Sequence, residues 1–170
     1  MSVGRIAALL DPGSVAIIGA SASPGTCGDL VRRNLGAAGF KGQVHLVNPR
    51  YESLDGVRCY PSVQEIPGAV DLAVLLTPAA VTPQVLAQCS EKGIRGAIVA
   101  AAGFREGGEE GAALEQQLLE VARRSGIRFL GPNSLGLIRA DSRLNAACGP
   151  PMPRSGRLAL VSQSGALCSA

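Results

Sequence analysis

The segment from residue 15 to residue 28 constrains the fold more than any other part of the chain. It begins with a short apolar run, Val-Ala-Ile-Ile, which is typical of a buried strand, and continues into glycine and small polar residues before helix-like spacing starts. A strand, a glycine-containing turn and a helix in this order place backbone N–H groups and the positive end of a helix dipole where a phosphate can bind. The segment therefore predicts a phosphate-binding turn at the end of a strand.

This turn follows neither of two well-known phosphate-binding patterns. A dinucleotide-binding Gly-x-Gly-x-x-Gly sequence starting at Gly19 would need glycine at two positions that hold Ser21 and Pro24. A P-loop would need lysine followed by serine or threonine after its last glycine, but Gly25 is followed by Thr26 and a cysteine. The turn is a phosphate-binding candidate of a third kind.

Apolar runs and helix-like segments alternate along most of the chain, and this alternation predicts the fold class. Strands are expected at 15–18, 43–47, 56–60 (a short edge strand), 72–76, 97–101 and 128–130, and helices at 26–38, 81–92 and 109–125, with a helical turn near 63–66. Strands separated by helices indicate a parallel sheet that is covered on both faces. We therefore predict an α/β fold with a doubly wound, Rossmann-like parallel sheet.

Small or polar residues follow five of the predicted strands, and such strand ends bind ligands in doubly wound sheets. These loops are Gly19-Ala20-Ser21, Asn48-Pro49-Arg50, Thr77-Pro78, Ala102-Gly103-Phe104 and Gly131-Pro132-Asn133. Arg50 stands where a NAD-binding domain carries an acidic residue that holds the ribose. It is either a ligand for a ribose phosphate, as in NADP or CoA, or an exposed surface arginine. Asn133 is either a ligand contact or a turn residue.

Composition excludes several classes of function. The net charge is only +3 and aromatic residues make up 3% of the chain, so no nucleic-acid surface is expected. The longest apolar runs, 72–76 and 97–102, are too short to cross a membrane. The five cysteines are never spaced Cys-x-x-Cys, which predicts neither a disulfide framework nor a zinc site and favours a reducing, cytoplasmic compartment. Cys27 is expected to be a small packing residue.

The C-terminal part of the chain differs in composition from the rest. Residues 149–156 are rich in proline and glycine and are expected to form a linker. After it, 157–161 predicts a strand that runs into a turn with Ser162, Ser164 and Gly165. These serines are either simple N-caps of a following helix or also an anion site. We expect one domain over 1–148 and the truncated start of a second α/β domain over 157–170, so that the chain is the N-terminal part of a longer protein.

Seven short motifs, in matching order and spacing over nearly all of the chain, carry a family resemblance. They are Ser14-Val15-Ala16-Ile17-Ile18-Gly19-Ala20-Ser21, Val47-Asn48-Pro49-Arg50-Tyr51, Cys59-Tyr60-Pro61-Ser62-Val63, Val70-Asp71-Leu72-Ala73-Val74, Ala102-Gly103-Phe104-Arg105-Glu106, Gly131-Pro132-Asn133-Ser134-Leu135-Gly136 and Ser162-Gln163-Ser164-Gly165-Ala166-Leu167. Together they resemble the N-terminal CoA-binding domain of NDP-forming acyl-CoA synthetases. This family includes ADP-forming acetyl-CoA synthetases and, more distantly, the α subunit of succinyl-CoA synthetase. Ser134 departs from the family, which usually has cysteine there.

The resemblance implies a binding site for CoA or acyl-CoA on the loops named above. It implies that a CoA phosphate is held by Gly19, Ala20, Ser21, Ser23 and Gly25, that the 3′-phosphate lies near Asn48, Pro49 and Arg50, and that the nucleotide lies along Thr77 and Pro78. The pantetheine path would be lined by Ala102, Gly103, Phe104 and Asn133. The phosphate of a phosphohistidine would be received by Ser162, Ser164 and Gly165, at the start of a succinyl-CoA synthetase-like, flavodoxin-type domain.

The resemblance also implies which parts of a ligase this chain lacks. The parent enzymes form an acyl phosphate, pass its phosphate to a downstream histidine and then to ADP, and transfer the acyl group to CoA. The only histidine here is His45, which is expected to be a packed residue in mid-strand. We therefore expect no catalytic residue and no ligase activity in this chain alone. ATP or ADP, Mg and a nucleotide-grasping domain, downstream or on a partner subunit, would belong to the full-length parent.

Two other functions stay open at the level of sequence. In some relatives the same domain is joined to a protein lysine acetyltransferase, where it is a CoA-sensing regulatory module and the ligase histidine is lost. The second is an NADP-binding oxidoreductase domain, which the missing Gly-x-Gly-x-x-Gly pattern disfavours. The residues that separate a ligase from an acetyltransferase-linked module are expected beyond Ala170.

Overall fold

The computed structural model describes residues 4–169, so residues 1–3 and 170, which the expected domain boundaries include, lie outside it. In chain order its elements are α1 (Gly4–Leu10), β1 (Ser14–Ile18), α2 (Cys27–Ala38), β2 (Gln43–Val47), β3 (Ser53–Leu54), β4 (Val57–Tyr60), β5 (Leu72–Leu75), α3 (Thr82–Glu91), β6 (Gly96–Val99), α4 (Glu109–Ser125), β7 (Arg128–Leu130), β8 (Gly136–Arg139), β9 (Leu144–Ala147) and α5 (Gly165–Ser169). None of the helices in this range is long and apolar enough to cross a membrane.

Seven strands form one sheet in the order β3-β4-β2-β1-β5-β6-β7. Every neighbouring pair is parallel except β3 and β4, which run antiparallel. One face of the sheet is covered by α1, α2 and a separate antiparallel hairpin of β8 and β9, and the other face by α3 and α4. This arrangement confirms the predicted doubly wound α/β fold.

The central strand β1 shows why the sheet must be covered on both faces. All five of its residues are buried. Val15 and Ile17 pack into the core beneath α2 and the hairpin, whereas Ala16 and Ile18 pack into the core beneath α3 and α4. Successive side chains of a strand point to opposite faces, so an uninterrupted apolar run fits only a strand with a layer on each side.

The chain changes direction across the sheet at β1, and this change creates the crevice in which a ligand can bind. From β1 the chain crosses through α2 to β2 on one side, whereas β5, α3 and β6 build the sheet on the other side. The carboxyl ends of the three central strands are tied together, because Leu76 N–H donates to Ile18 O at 2.8 Å and Gly19 N–H donates to Val47 O at 2.9 Å. Such a reversal point is where doubly wound sheets bind their ligands.

The hairpin of β8 and β9 has no counterpart in the sequence analysis. It lies against α2, where the Asn34 side-chain amide donates to Ala147 O at 3.0 Å and Leu144 is fully buried. Gly136 is required at its start, because a Cβ there would lie 2.3 Å from Ala146 O. The hairpin thereby brings residue 148 next to the first turn of α2.

Two expectations about strands are wrong. The segment 56–60 is not the edge strand, because β3 pairs outside β4 and forms the edge. The segment 157–161 is not a strand at all: it has no paired backbone and leaves Leu158 and Val161 almost fully exposed. A strand is stable only when neighbouring strands satisfy its backbone groups, and residues 4–169 supply no neighbour for this segment.

Candidate functional site

The loop between β1 and α2 is shaped by two glycines that allow a very close approach. Gly19 has a φ of +98°, and a Cβ on it would lie 3.0 Å from Leu76 O. A Cβ on Gly28, in the first turn of α2, would lie 2.3 Å from Gly19 O and 2.9 Å from Ser21 N. The first turn of α2 therefore rests directly on the loop, so that the predicted phosphate-binding turn and the start of the helix form one surface.

The start of α2 has backbone donors that are free to bind an anion. Thr26 is the N-cap, because its hydroxyl accepts the Asp29 N–H at 3.3 Å and donates to Ser23 O at 2.8 Å. The N–H groups of Cys27 and Gly28 have no hydrogen-bond partner within residues 4–169. These two donors lie at the positive end of a helix of 12 residues. They are the part of the loop best suited to a phosphate.

A buried carboxylate modifies the predicted role of Gly25. Asp29 is 3% exposed and accepts hydrogen bonds from the Gly25 N–H at 3.2 Å and the Arg32 guanidinium at 3.0 Å, and it forms an ion pair with the Arg33 guanidinium at 3.6 Å. Burial opposes the charge on Asp29, but these hydrogen bonds and the two arginines outweigh it and hold the pKa of the carboxyl below its usual value. Gly25 contributes a turn with φ of +78°, and its N–H is already used within the protein.

The loop after β2 places two of its expected ligand residues in different roles. The side chain of Asn48 connects two loops, since its amide donates to Ala20 O at 2.8 Å and its carbonyl oxygen accepts the Arg50 N–H at 3.0 Å. Pro49 and Arg50 are exposed beside it, and the Arg50 guanidinium forms no ion pair with any residue of the described range. Asn48 therefore holds the loop, while Arg50 is available to a ligand.

The loop after β5 is fixed by a buried threonine. Thr82, fully buried in α3, has its hydroxyl oxygen within hydrogen-bond distance of Pro78 O (2.9 Å), Thr77 O (3.0 Å) and the Thr77 hydroxyl (3.0 Å). Thr77 is half-buried and Pro78 is exposed at the edge of the crevice. The loop lies next to the one after β1, because β5 and β1 are neighbours in the sheet.

The loop after β6 differs from the expectation at one residue. Ala102 and Gly103 are exposed, and the Gly103 N–H donates to the Glu106 carboxylate at 2.8 Å. The Phe104 side chain, by contrast, is fully buried in the core beneath α3 and α4. It anchors the loop to the core and offers no surface to a ligand, because an aromatic side chain gains more from burial there than at the exposed edge.

Asn133 takes a left-handed backbone conformation, which residues other than glycine seldom adopt. Its φ is +55°, its N–H donates to Ala101 O at 2.9 Å, and its side chain is exposed. Gly131 allows the preceding turn, because a Cβ there would lie 2.2 Å from Val99 O. The loops after β6 and β7 are thus joined, with the Asn133 amide facing outward between them.

One cavity brings three of the predicted parts of the site together. It has a volume of about 390 Å³ and is lined by Cys27, Ala100, Asn133, Ser134, Leu135, Cys148, Gln163 and Gly165. The start of α2, the loop after β7 and the predicted phosphohistidine loop therefore face the same space. In that loop Ser162 Oγ accepts the Ser164 N–H at 3.0 Å, which forms a local turn, and Ser164 Oγ accepts the Leu167 N–H at 3.3 Å, so that Ser164 caps α5.

The cysteines contradict two expectations: the chain contains a disulfide, and Cys27 is an exposed member of it and not a small packing residue. Cys27 and Cys148 form a disulfide, although the spacing of the five cysteines predicted none. Their Cα atoms are 4.9 Å apart, within the ordinary range for a disulfide, and they are separated by 121 positions in the sequence. The packing of α2 on the hairpin brings them together, so no local spacing rule could have revealed the pair.

His45 lies in the middle of β2, as the sequence predicts. Its ring meets the Tyr60 ring edge-on with centroids 6.2 Å apart. Burial, and secondarily the charge of Lys92, lowers the pKa of this histidine below its usual value. These surroundings are those of a packed, neutral histidine.

Known proteins match this chain closely. Residues 13–140, from β1 through β8, match the CoA binding domain family. The chain is 46% identical over 158 residues to acetate–CoA ligase (ADP-forming) I of Archaeoglobus fulgidus, covering 93% of this chain and 23% of that protein. It is also 46% identical over 164 residues to the alpha subunit of acetate–CoA ligase (ADP-forming) I of Pyrococcus furiosus, covering 94% of this chain and 36% of the subunit.

A solved structure agrees with the sequence relatives. It is that of dinucleotide forming acetyl-coenzyme A synthetase 1 from Ca. Korarchaeum cryptofilum in complex with phosphate and ADP, with a TM-score of 0.90 and 41% identity over 95% of this chain and 34% of that chain. The present chain thus spans about a quarter to a third of the length of these proteins. Because the family match covers the central strand, every loop of the binding edge from β1 to β7 and Asn133, the chain belongs to the family of CoA-binding domains.

Proposed function

We propose that this chain binds CoA or acyl-CoA as the CoA-binding domain of an ADP-forming acid–CoA ligase. The observation that carries the proposal is that three features all lie where the strands of the sheet end: the free N–H groups of α2, the exposed Arg50 after β2 and the cavity of about 390 Å³. A CoA molecule needs all three kinds of surface. Its diphosphate requires donors, its 3′-phosphate requires a cation, and its pantetheine arm requires a narrow path.

In this proposal the two ends of CoA lie at opposite ends of the binding edge. The diphosphate accepts hydrogen bonds from the N–H groups of Cys27 and Gly28, and the 3′-phosphate pairs with Arg50 outside β2. The pantetheine arm then passes Gly103 and Asn133 and ends in the cavity beside Gly165. Asn133 has an amide free to bind the amide groups of pantetheine.

The acyl-transfer chemistry is assigned to the rest of the ligase. In the proposed reaction an acyl phosphate forms, its phosphate passes through a histidine to ADP, and CoA accepts the acyl group. The described residues offer His45 alone as a histidine, and it is packed against Tyr60 inside the sheet. The loop with Ser162, Ser164 and Gly165 would meet the phosphohistidine, and the nucleotide and Mg would be held by a further domain or subunit.

Calorimetric titration of the chain with CoA, NADH and NADPH tests the binding proposal. We expect CoA to bind more tightly than either nicotinamide cofactor, because the loop after β1 lacks the glycines that bring a dinucleotide close to the backbone. Tighter binding of NADH or NADPH would show that the domain serves a different ligand.

The variant Arg50→Ala tests the placement of the 3′-phosphate. A charge-assisted hydrogen bond contributes about 1.5–3 kcal/mol, and the exposure of Arg50 reduces this figure through solvent screening. Since 1.4 kcal/mol is a factor of ten, CoA should bind up to about a hundredfold more weakly to the variant. Dephospho-CoA, which lacks the 3′-phosphate, should bind to both forms equally.

Arg95→Ala is the matched control. Arg95 is also exposed, but it directly precedes β6 and so lies at the amino ends of the strands, away from the loops that follow their carboxyl ends. This variant should bind both ligands as the natural chain does. An Arg50→Ala variant that loses CoA and dephospho-CoA affinity equally would mean that Arg50 shapes the loop and does not contact the phosphate.

A further inference from the structure

The disulfide of Cys27 and Cys148 lies in the wall of the candidate CoA cavity. Both residues line that cavity together with Asn133 and Gly165. Cys27 is exposed and Cys148 is half-buried, so the pair is not enclosed in the core. The sulfur atoms of the two cysteines have no role in the proposed binding of CoA phosphates or in acyl transfer.

The two half-cystines differ in how well they would leave as thiolates. Cys27 is the first residue of α2, and the positive end of a helix stabilises a thiolate. Cys148 follows β9, and its N–H donates to Leu135 O at 2.8 Å, which holds its backbone in place. In thiol–disulfide exchange the sulfur with the more stable thiolate departs more readily. An attacking thiol is therefore directed to Cys148, with Cys27 as the leaving group.

The remaining cysteines are poorly placed for such chemistry. Burial raises the pKa of the Cys59 thiol, and it raises that of the Cys89 thiol to about 12. Cys168 is half-exposed in α5 and does not line the cavity. Reactivity toward a bound ligand is thus confined to the pair in the cavity wall.

CoA itself ends in a thiol, and this inference rests on the proposed function, which brings that end into the cavity. We propose that the Cys27–Cys148 disulfide is an exchange site that captures CoA as a mixed disulfide. The CoA thiolate attacks Cys148 Sγ, a new S–S bond forms, the Cys27–Cys148 bond breaks, and its electron pair leaves on Cys27. The proton released by the CoA thiol ends in solvent or on Cys27. One disulfide and one thiol become another disulfide and another thiol, so no outside oxidant is consumed.

Capture of this kind makes the CoA site sensitive to the state of the pair. A chain with the disulfide stores CoA covalently in its own binding site, and attack by Cys27 on the mixed disulfide releases it again. A chain with both cysteines reduced binds CoA only reversibly. The pair would thereby couple CoA retention to the local thiol–disulfide balance.

Intact-mass measurement of the full 170-residue chain tests the exchange. The chain is oxidised with diamide, freed of the oxidant and incubated with CoA under anaerobic conditions. We expect a mass gain equal to one CoA per chain, with CoA attached to Cys148 and a new alkylatable thiol at Cys27. Cysteamine, a thiol without the nucleotide, should react at least about tenfold more slowly at equal concentration, because binding positions the CoA thiol.

Three variants and one titration make the result decisive. Cys27→Ser and Cys148→Ser remove the disulfide and should give no adduct with CoA, whereas Cys168→Ser should behave as the natural chain does. Absence of the Cys27–Cys148 disulfide after oxidation, absence of the adduct, or equal rates with cysteamine would overturn the proposal. Calorimetry on the reduced chain separates the two hypotheses: CoA binding without an adduct refutes the exchange alone, and absence of CoA binding refutes the proposed function.

Discussion

The substitution Gly28→Ala tests whether the close contact between α2 and the β1–α2 loop is needed for both stability and CoA binding. A Cβ on Gly28 would lie 2.3 Å from Gly19 O and 2.9 Å from Ser21 N. Ordinary van der Waals contact begins at 3.4 Å, so the helix and the loop would have to separate by about 1 Å. Both contacts are with backbone atoms, and no side-chain rotation can relieve them.

Gly36→Ala in the same helix is the matched control, because no atom lies within 4 Å of its added Cβ. Alanine is favoured over glycine within a helix by about 1 kcal/mol, and both variants have access to this gain. The difference between them therefore isolates the steric cost at Gly28, which for an overpacked site is about 1–3 kcal/mol. We expect Gly36→Ala to be slightly more stable than the natural chain and Gly28→Ala to be less stable than Gly36→Ala by that amount.

The two variants should also differ in ligand binding. Separation of α2 from the loop moves the N–H groups of Cys27 and Gly28 relative to Ser21, so CoA should bind at least about tenfold more weakly to Gly28→Ala. Gly36→Ala should bind CoA normally. Urea unfolding and calorimetric titration measure the two quantities. If Gly28→Ala matches Gly36→Ala in stability and in CoA affinity, the close approach has no part in the site.

Three further outcomes follow from the environments of individual groups and from the position of His45. Because the pKa of Asp29 is lowered in the fold, its charged form stabilises the fold at pH values above the ordinary pKa of 3.8. This stabilisation is lost as the pH falls through the lower pKa of the folded state. Urea unfolding should therefore show a difference in stability between the natural chain and Asp29→Asn that is constant near neutral pH and disappears in acid. Cys89 should resist iodoacetamide in the native chain while Cys168 is alkylated, as peptide mass spectrometry can show. The chain alone should form no thioester from acetate, CoA and ATP, and turnover above background would show that the reading of His45 is wrong.

Elements with strong local signals could be predicted from the sequence. Thr26 and Gly39 cap α2, with Gly39 at a φ of +67°, and the expected bounds of that helix agree with the structure to one residue. The bounds of α4 and β7 agree fully. N-cap side chains, left-handed glycines and periodic apolar residues act within a few positions, so they can be read without knowledge of the tertiary fold.

Features that depend on distant partners could not be predicted. The strands of the β8–β9 hairpin have four residues each and weak alternation. The hairpin is stable because β8 pairs with β9 and β9 packs on α2, more than a hundred positions earlier. The Cys27–Cys148 disulfide and the burial of Phe104 have the same origin in tertiary packing. The strand predicted at 157–161 is wrong for the opposite reason: the segment has the apolar sequence of a strand, but the described residues hold no neighbouring strand to pair with it.

The electrostatics of the β1–α2 loop explain why binding of the phosphates should depend on a few specific groups. Arg32 pairs with both Asp29 and Asp55, and Arg33 lies 3.6 Å from Asp29, so the charge of this cluster is largely cancelled within the protein. Positive potential for CoA must then come from the backbone donors at the start of α2 and from Arg50.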